Sequence, residues 1–337
     1  MKVGFLRMDK KPGALARSLF ALASQYGIEF FYFTPENIDI EKKVINGLFW
    51  DNGDYIYKET PYPEIIDDQY SFRYQYKNMY NDLLQTSLFV YTPLGGKDIL
   101  YNILKKSEYS KYLIETFNYK NADINELLQK YNRLIIKPNR GNKGKNIFSL
   151  HKDENFYYLQ LENKILQINE EEYKQEYTSK FNDNYIVQPY INSTVKDGNA
   201  LNIRLLVLRG KNGKWTTRRM TPRIARMNTI AENLNLGSSL AYHEDFFPVE
   251  FGDGWRKIYN ELIKISMHVP DIIQKSYTAL FDSFGFDIGV DRSNDNELKI
   301  FEINTFPGPR PFIFEVAEAK SQYYMYLFNR INTRTNA

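Results

Sequence analysis

The chain has 337 residues, 43% hydrophobic and 25% charged, with 44 basic against 41 acidic side chains. Those proportions suit a globular protein of two or three small domains, and the near balance of charge argues against a nucleic-acid partner. There is no cysteine, which excludes disulfides, thiolate metal sites and Cys nucleophiles together. No stretch of about 18 apolar residues suggests a membrane span, and "MKVGFLRMDKK" lacks the apolar core of a signal peptide, so a cytoplasmic chain with no membrane contact is expected. The many Tyr and Phe residues read as aromatic cores.

"KVGFLR" (2–7) reads as a strand and "GALARSLFALASQYG" (13–27) as a helix, with Leu15, Leu19 and Leu22 on one face and Gly27 at its end. "IEFFYFTP" (28–35) is a second strand, so the chain opens as a parallel α/β layer. Residues 44–70 predict a hairpin turning at Asp51-Asn52-Gly53, followed by a Pro-rich connection. Helical pattern dominates from about 90 to 130. "RLIIKP" and "NIFSL" are then strands flanking the polar loop "NRGNKGK". Further strands are expected over 156–162, 164–168, 185–191, 203–209 and 214–226. A helical segment over 254–285 should break or kink at Pro270.

The stretch "ELKIFEINTFPGPRPF" (297–312) carries the chemistry. In a strand Glu302 and Asn304 share one face, while Phe301 and Ile303 point into a core. If Ser293–Asn296 is a hairpin loop, Asp287 lies opposite Glu302. Two carboxylates and an amide oxygen, with no His or Cys, suit a hard cation such as Mg²⁺ held with phosphate oxygens. An exposed hairpin with solvated acids would read the same. Lys137 ends a strand and should be partly enclosed, needing an anionic partner unless it snorkels to water. Gly141 and Gly144, with Lys143 and Lys145, permit backbone N–H groups to approach a polyphosphate. Arg204 and Arg223, on successive strands, present planar forks suited to a phosphate or carboxylate. His151, His243 and His268 read as surface or structural residues.

The order of these pieces resembles the ATP-grasp superfamily, and "FEINTFPG" is similar to the metal-binding signature of its carboxylate–amine ligases, such as D-alanine–D-alanine ligase. Within it the chain resembles the YheC/YheD family, often described as endospore coat-associated. "GGKDILYNIL", "IIKPNRGNKGKNI", "YIVQPYI", "NIRLLVLRGKNGKW", "RIAR" and "FDIGVD…FEINTFPG" follow in that family's order across nearly the whole chain. The resemblance implies an α/β (α+β) ATP-grasp fold. An N-terminal parallel pre-ATP-grasp domain would span 1–90, a small lobe with the phosphate loop 91–190, and a large lobe with the metal site 191–330. A frayed tail would follow over 331–337.

Carried over by matching position, Lys97, Lys137, Asn139, Gly141, Gly144 and Lys145 would hold the phosphates of ATP. Gln188, Tyr190 and Ile191 would border adenine, the last two through backbone. Arg204 and Arg223 would hold the γ-phosphate or a developing acyl phosphate, and Asp287, Glu302 and Asn304 would bind Mg²⁺. Two departures stand out. Asn202-Ile203-Arg204 replaces the family's frequent Asp-x-Arg, which leaves a metal or Arg-orienting role at 202 open, and Asn142 and Lys143 stand where Ser or Gly are common.

The implied activity is ATP-dependent ligation of a small-molecule or peptide carboxylate to an amine through an acyl phosphate. The alternative is a non-catalytic, nucleotide-binding assembly protein associated with the spore; phosphorylation without ligation is a third reading. A flexible loop over 228–246 is either a substrate selector or a plain connection. Many relatives dimerise, which leaves a homodimer open.

Overall fold

The computed structural model describes residues 1–68, 75–90, 94–140, 146–161, 164–225, 238–305, 307–308 and 311–335. Its first unit runs β1 (Lys2–Leu6), α1 (Ala14–Ala23), β2 (Glu29–Phe33), β3 (Ile38–Asp39), β4 (Val44–Asp51), β5 (Asp54–Pro61), β6 (Ile65–Asp68), α2 (Lys77–Leu83) and β7 (Leu88–Val90). These strands form one sheet in the order β3-β4-β2-β1-β6-β7, with β5 on β4. β1 is parallel to β2 and β6, and β6 to β7. The β4–β5 hairpin turns at Asn52 and Gly53 as expected, both at positive φ (49° and 97°), the geometry whose twist matches the strands. Residues 65–68 are a buried strand, not part of a Pro-rich connection. Asp67 and Asp68 hid it: two acids end a strand that is buried along its whole length, because cations and tyrosines meet them there.

The second sheet follows α3 (Lys97–Leu104). It comprises β8 (Phe117–Asn118), α4 (Ile124–Tyr131), β9 (Arg133–Pro138), β10 (Phe148–Lys152), β11 (Tyr157–Leu161), β12 (Lys164–Ile168), α5 (Glu170–Glu172) and β13 (Tyr185–Pro189), ordered β12-β11-β10-β9-β13-β8. Asp123 accepts from the first N–H groups of α4 and starts it.

The third unit has β14 (Leu201–Arg209), β15 (Trp215–Ile224), β16 (Ser239–Leu240), α6 (His243–Phe251), α7 (Trp255–Lys275), β17 (Ser283–Asp291), β18 (Glu297–Asn304) and α8 (Ile313–Thr335). Its antiparallel sheet is ordered β16-β15-β14-β17-β18. Leu262, Ile265, Val269 and Ile273 of α7 pack on one face of it, with Leu100 and Leu104 of α3, a helix assigned from sequence to the lobe before. The helix continues past Pro270 because this apolar stripe stays buried to Ile273; it stops at Lys275 rather than near 285. The other face carries Leu206 and Leu208, which share a core with Phe5, Leu15, Leu19, Val316 and Tyr323. Thus α8, absent from the sequence reading, joins the first sheet to the third. Residues expected as a frayed tail extend α8 as far as Thr335.

Candidate active site

The β17–β18 hairpin builds one wall. Asp287 pairs with Glu302, Phe286 with Ile303 and Gly285 with Asn304, as the sequence suggested. The route to that register is different. Asp291 pairs with Glu297, so the loop is Arg292–Asn296, one residue longer than expected. A bulge at Phe301, between the pairs Ile288–Ile300 and Asp287–Glu302, restores the offset. The bulge also re-aims Phe301. Instead of entering the core, its ring lies against Gly289, where any Cβ would stand 2.1 Å from it. Gly289 and Asp287 share a strand face, so the Phe301 ring sits on the carboxylate side.

β14 lies against β17 with Arg204 directly opposite Asp287. The guanidinium grips both oxygens, Nε to Oδ1 at 2.5 Å and Nη2 to Oδ2 at 2.6 Å. Arg223 Nη1 stands 3.8 Å from Oδ1. Burial works to raise the Asp287 pKa, but Arg204, then Arg223 and Asn202, outweigh it and hold the carboxyl below its ordinary value. Asn202 settles what its amide does: Nδ2 donates to Asp287 Oδ1 (3.1 Å), and Oδ1 accepts from the Ile288 N–H (3.1 Å). A carboxylate could accept from Ile288 but not donate to Asp287. Asn202→Asp is therefore expected to destabilise the fold by about 1–3 kcal/mol without divalent cation. Added Mg²⁺ should restore part of the loss, as read by thermal melts with and without the ion.

The second sheet and α3 supply the facing wall. Lys137 is buried, and its Nζ donates to the Phe301 carbonyl at 3.2 Å, a bond from β9 across to β18. Burial, and then the Lys97 charge, bring its pKa down to about 8, although Glu302 and Asp287 act in the opposite sense. Lys97, first residue of α3, puts Nζ 3.2 Å from Glu302 Oε1 and within 3.3 Å of the Pro138 carbonyl. The Asn139 side chain exchanges hydrogen bonds with Asp98 (2.9 Å to its carboxylate, 3.2 Å from its N–H), fastening the base of the loop to α3. Gly141, Gly144, Lys143 and Lys145 lie outside the described residues.

Gln188, expected beside a base, donates Nε2 to Thr116 Oγ1 at 2.8 Å. The Tyr190 N–H is taken by the Arg133 carbonyl (2.9 Å), with the Arg133 guanidinium over the Tyr190 ring. The Ile191 N–H and Tyr190 carbonyl have no partner among the described residues. The histidines stand elsewhere: His268 bonds Tyr109, His151 stacks on Tyr158 and His243 on Tyr259.

Residues 85–330 match the family model for YheC/D-like ATP-grasp proteins. The chain belongs to this family. It is 22% identical to the endospore coat-associated protein YheC of Bacillus subtilis (strain 168), over 96% of this chain and 93% of the relative. It is also 22% identical to YheD of the same organism, over 87% of this chain and 68% of the relative. Among solved structures it resembles N5-carboxyaminoimidazole synthetase of Staphylococcus aureus complexed with ADP (TM-score 0.53, 14% identity, 95% of this chain and 77% of that one). It also resembles D-alanine–D-alanine ligase of Bacillus anthracis (TM-score 0.52, 12% identity, 100% and 99%). The fold is thus ATP-grasp, a mixed α/β architecture, and no described helix is long and apolar enough to cross a membrane.

The donor set fits the hard cation that this fold implies. The Asn304 amide has no partner among the described residues, and the second oxygen of Glu302 has none either. Asp287 Oδ1 already accepts from Arg204 and Asn202, whereas among the described residues Oδ2 accepts from Arg204 alone and keeps a lone pair. Glu302 and Asn304 would be the principal ligands, with Asp287 joining through Oδ2. The sequence reading missed Phe301, because strand alternation sent it inward, and it left Asn202 open.

Proposed function

We propose that this chain is an ATP-dependent, Mg²⁺-requiring carboxylate–amine ligase that works through an acyl phosphate. The observation that carries the reading is the charge arrangement between the lobes. Lys97 meets Glu302, Arg204 and Arg223 meet Asp287, and Lys137 is buried beside both carboxylates, with no Cys or His in this group. Four cationic side chains gathered round two carboxylates suit the negative charge of a nucleoside triphosphate with its divalent cation. Chemistry of this kind needs orientation and charge stabilisation, not a covalent intermediate on the protein.

In this reading Lys137 and Lys97 hold the phosphates. The Ile191 N–H and Tyr190 carbonyl meet the adenine edge, and Phe301 offers the base a flat apolar face beside Lys137. A bound Mg²⁺ would screen the phosphate oxygens from Glu302 and act as Lewis acid on them. Arg204 and Arg223 orient the carboxylate. Its oxygen attacks the γ-phosphorus, the bond to the bridging oxygen breaks, and ADP departs. The amine then attacks the acyl carbon, and the leaving phosphate can take the proton.

Calorimetric titration of a non-hydrolysable ATP analogue, followed by an ADP-release assay, tests this. Binding with no ADP release under any substrate would favour the non-catalytic assembly role instead. The titration also has a pH signature. Only protonated Lys137 attracts phosphate, so with its pKa brought to about 8 the affinity should fall about tenfold between pH 7 and pH 9. Lys137→Arg should flatten that profile. The stability of the free protein should move the other way: the unfolded chain keeps this proton to higher pH, so stability from this group rises through the same range. A flat wild-type profile would mean that Lys137 does not meet the nucleotide.

A further inference from the structure

Residues 190–200 join β13 to β14, and so the second sheet to the third, with no helix or strand of their own. Backbone groups in such a linker need partners from elsewhere. Here the far end of the β17–β18 hairpin supplies them. The Arg292 N–H donates to the Asn192 carbonyl (2.8 Å), the Val290 N–H to Ser193 Oγ (2.9 Å), and Arg292 Nε to the Thr194 carbonyl (2.8 Å). Asn192 returns a bond, Nδ2 to Ser293 Oγ at 3.1 Å. Consecutive linker residues are thus held by the hairpin that also bears Asp287 and Glu302.

Arg292 is itself firmly held. Nη1 donates to Asn296 Oδ1 at 3.0 Å, Nη2 pairs with Glu250, and the guanidinium lies 4.5 Å over the Phe251 ring. Every nitrogen of the fork has a partner, and the ring fixes its plane. Glu250 is 8% exposed and accepts from the Lys196 N–H at 2.9 Å as well, so α6 grips the linker through the same carboxylate. On the other side the linker is fixed at Tyr190, whose N–H goes to the Arg133 carbonyl of β9 at 2.9 Å. Between these anchors lies the Tyr190–Ile191 peptide, which meets the base in the ligase reading. Adenine carries an amino donor where guanine carries an oxygen acceptor. A carbonyl fixed in place tells them apart, and one free to swing does not.

We infer that Arg292, braced by Glu250, is a positioning residue for base recognition: it fixes the linker so that the Tyr190 carbonyl accepts from the amino group of adenine and rejects guanine. The inference rests on the nucleotide-binding half of the ligase reading, and its test reads binding alone, apart from turnover.

Calorimetry on the full chain with Mg²⁺ compares non-hydrolysable ATP and GTP analogues and inorganic tripolyphosphate, for wild type, Arg292→Lys and Glu250→Gln, with thermal melts to confirm folding. Wild type is expected to bind the ATP analogue at least about tenfold more tightly than the GTP analogue. A lysine cannot serve the same acceptors at once, so Arg292→Lys should bring that ratio close to one. Tripolyphosphate, which has no base, should bind the variant as it binds wild type. Glu250→Gln keeps an oxygen for the Lys196 N–H and should shift the ratio in the same direction by less; if Arg292→Lys does not fold, an unchanged ratio in Glu250→Gln overturns the inference. A folded Arg292→Lys with the wild-type ratio would overturn it too. So would equal losses for the ATP analogue and tripolyphosphate, which would put the effect at the phosphates, or a wild type that binds both nucleotides alike. The expected selectivities without ADP release under any substrate would uphold the inference and sink the ligase reading. A wild type that binds neither nucleotide would sink both.

Discussion

Glu302→Gln is expected to lower Mg²⁺-dependent ATP turnover by about 100- to 1000-fold while leaving the fold intact. The fold should survive because Glu302 and Lys97, its ion-pair partner among the described residues, both keep some contact with water (26% and 19% exposed). Gln keeps an oxygen for Lys97 and changes no volume. Turnover should collapse because a divalent ion loses its best-placed anionic ligand: the remaining carboxylate, Asp287, is gripped by Arg204 and offers just the spare lone pair of Oδ2. Binding in the absence of metal should behave oppositely. Removing a carboxylate beside the phosphates removes a repulsion, so metal-free affinity for the ATP analogue should hold or improve. The added affinity that Mg²⁺ confers on wild type should then be missing. Calorimetry with and without Mg²⁺, set beside ADP release, reads all three. Wild-type turnover in the variant would remove Glu302 from the metal site.

The Asp287–Glu302 pairing was reached in sequence by placing the hairpin loop at Ser293–Asn296, and the structure has that pairing with a different loop. A loop one residue longer and a bulge at Phe301 cancel in the register, and only the bulged residue records the difference. Arg204 and Arg223 were legible as a pair on one face, yet their partner was not: alternation fixes which face a side chain takes, not which of two anions it meets. The bond from Gln188 to Thr116 lies likewise outside what alternation alone can show. Strand β6 was obscured by its two acids, and α8 by its weakly amphipathic pattern, because both ends of that network are explained only by each other.

That network yields the second large effect. Lys320→Met, conservative in volume, is expected to destabilise the chain by about 3–5 kcal/mol. Lys320 Nζ meets Asp67 Oδ2 at 2.7 Å and pairs with Asp282 as well; Arg7 takes the other oxygen of Asp67 at 2.7 Å, and the Tyr324 hydroxyl donates to Oδ2 at 2.6 Å. All four charged groups are nearly inaccessible to water. Two cations thus balance two carboxylates, and removing one cation strands a buried negative charge. The place matters too. β1 leads to β2 on one side, while its other neighbour, β6, leads to β7, so the β1–β6 boundary is the switch point where open parallel sheets form ligand crevices at their carboxyl ends. Here α8 fills that crevice, and Asp282, just before the strand that bears Asp287, ties it to the third sheet. Lys320→Met/Asp282→Asn should recover part of the loss, because one stranded charge leaves with its partner; equal destabilisation by both variants would show that packing, not charge, was lost. The pH dependence has a definite sign. Burial would raise the Asp67 pKa, but Lys320 and Arg7 outweigh it and bring it down to about 2. Its stabilisation is therefore complete above the ordinary carboxylate range and disappears as pH falls toward 2. The Lys320 pKa is raised by Asp282 and Asp67 against the effect of burial, so its contribution is present below the ordinary lysine range and is lost only as pH rises through the raised value. Between those limits the first and third sheets should unfold as one unit, and in the Lys320→Met variant melts followed at the first sheet should separate from melts followed at α7.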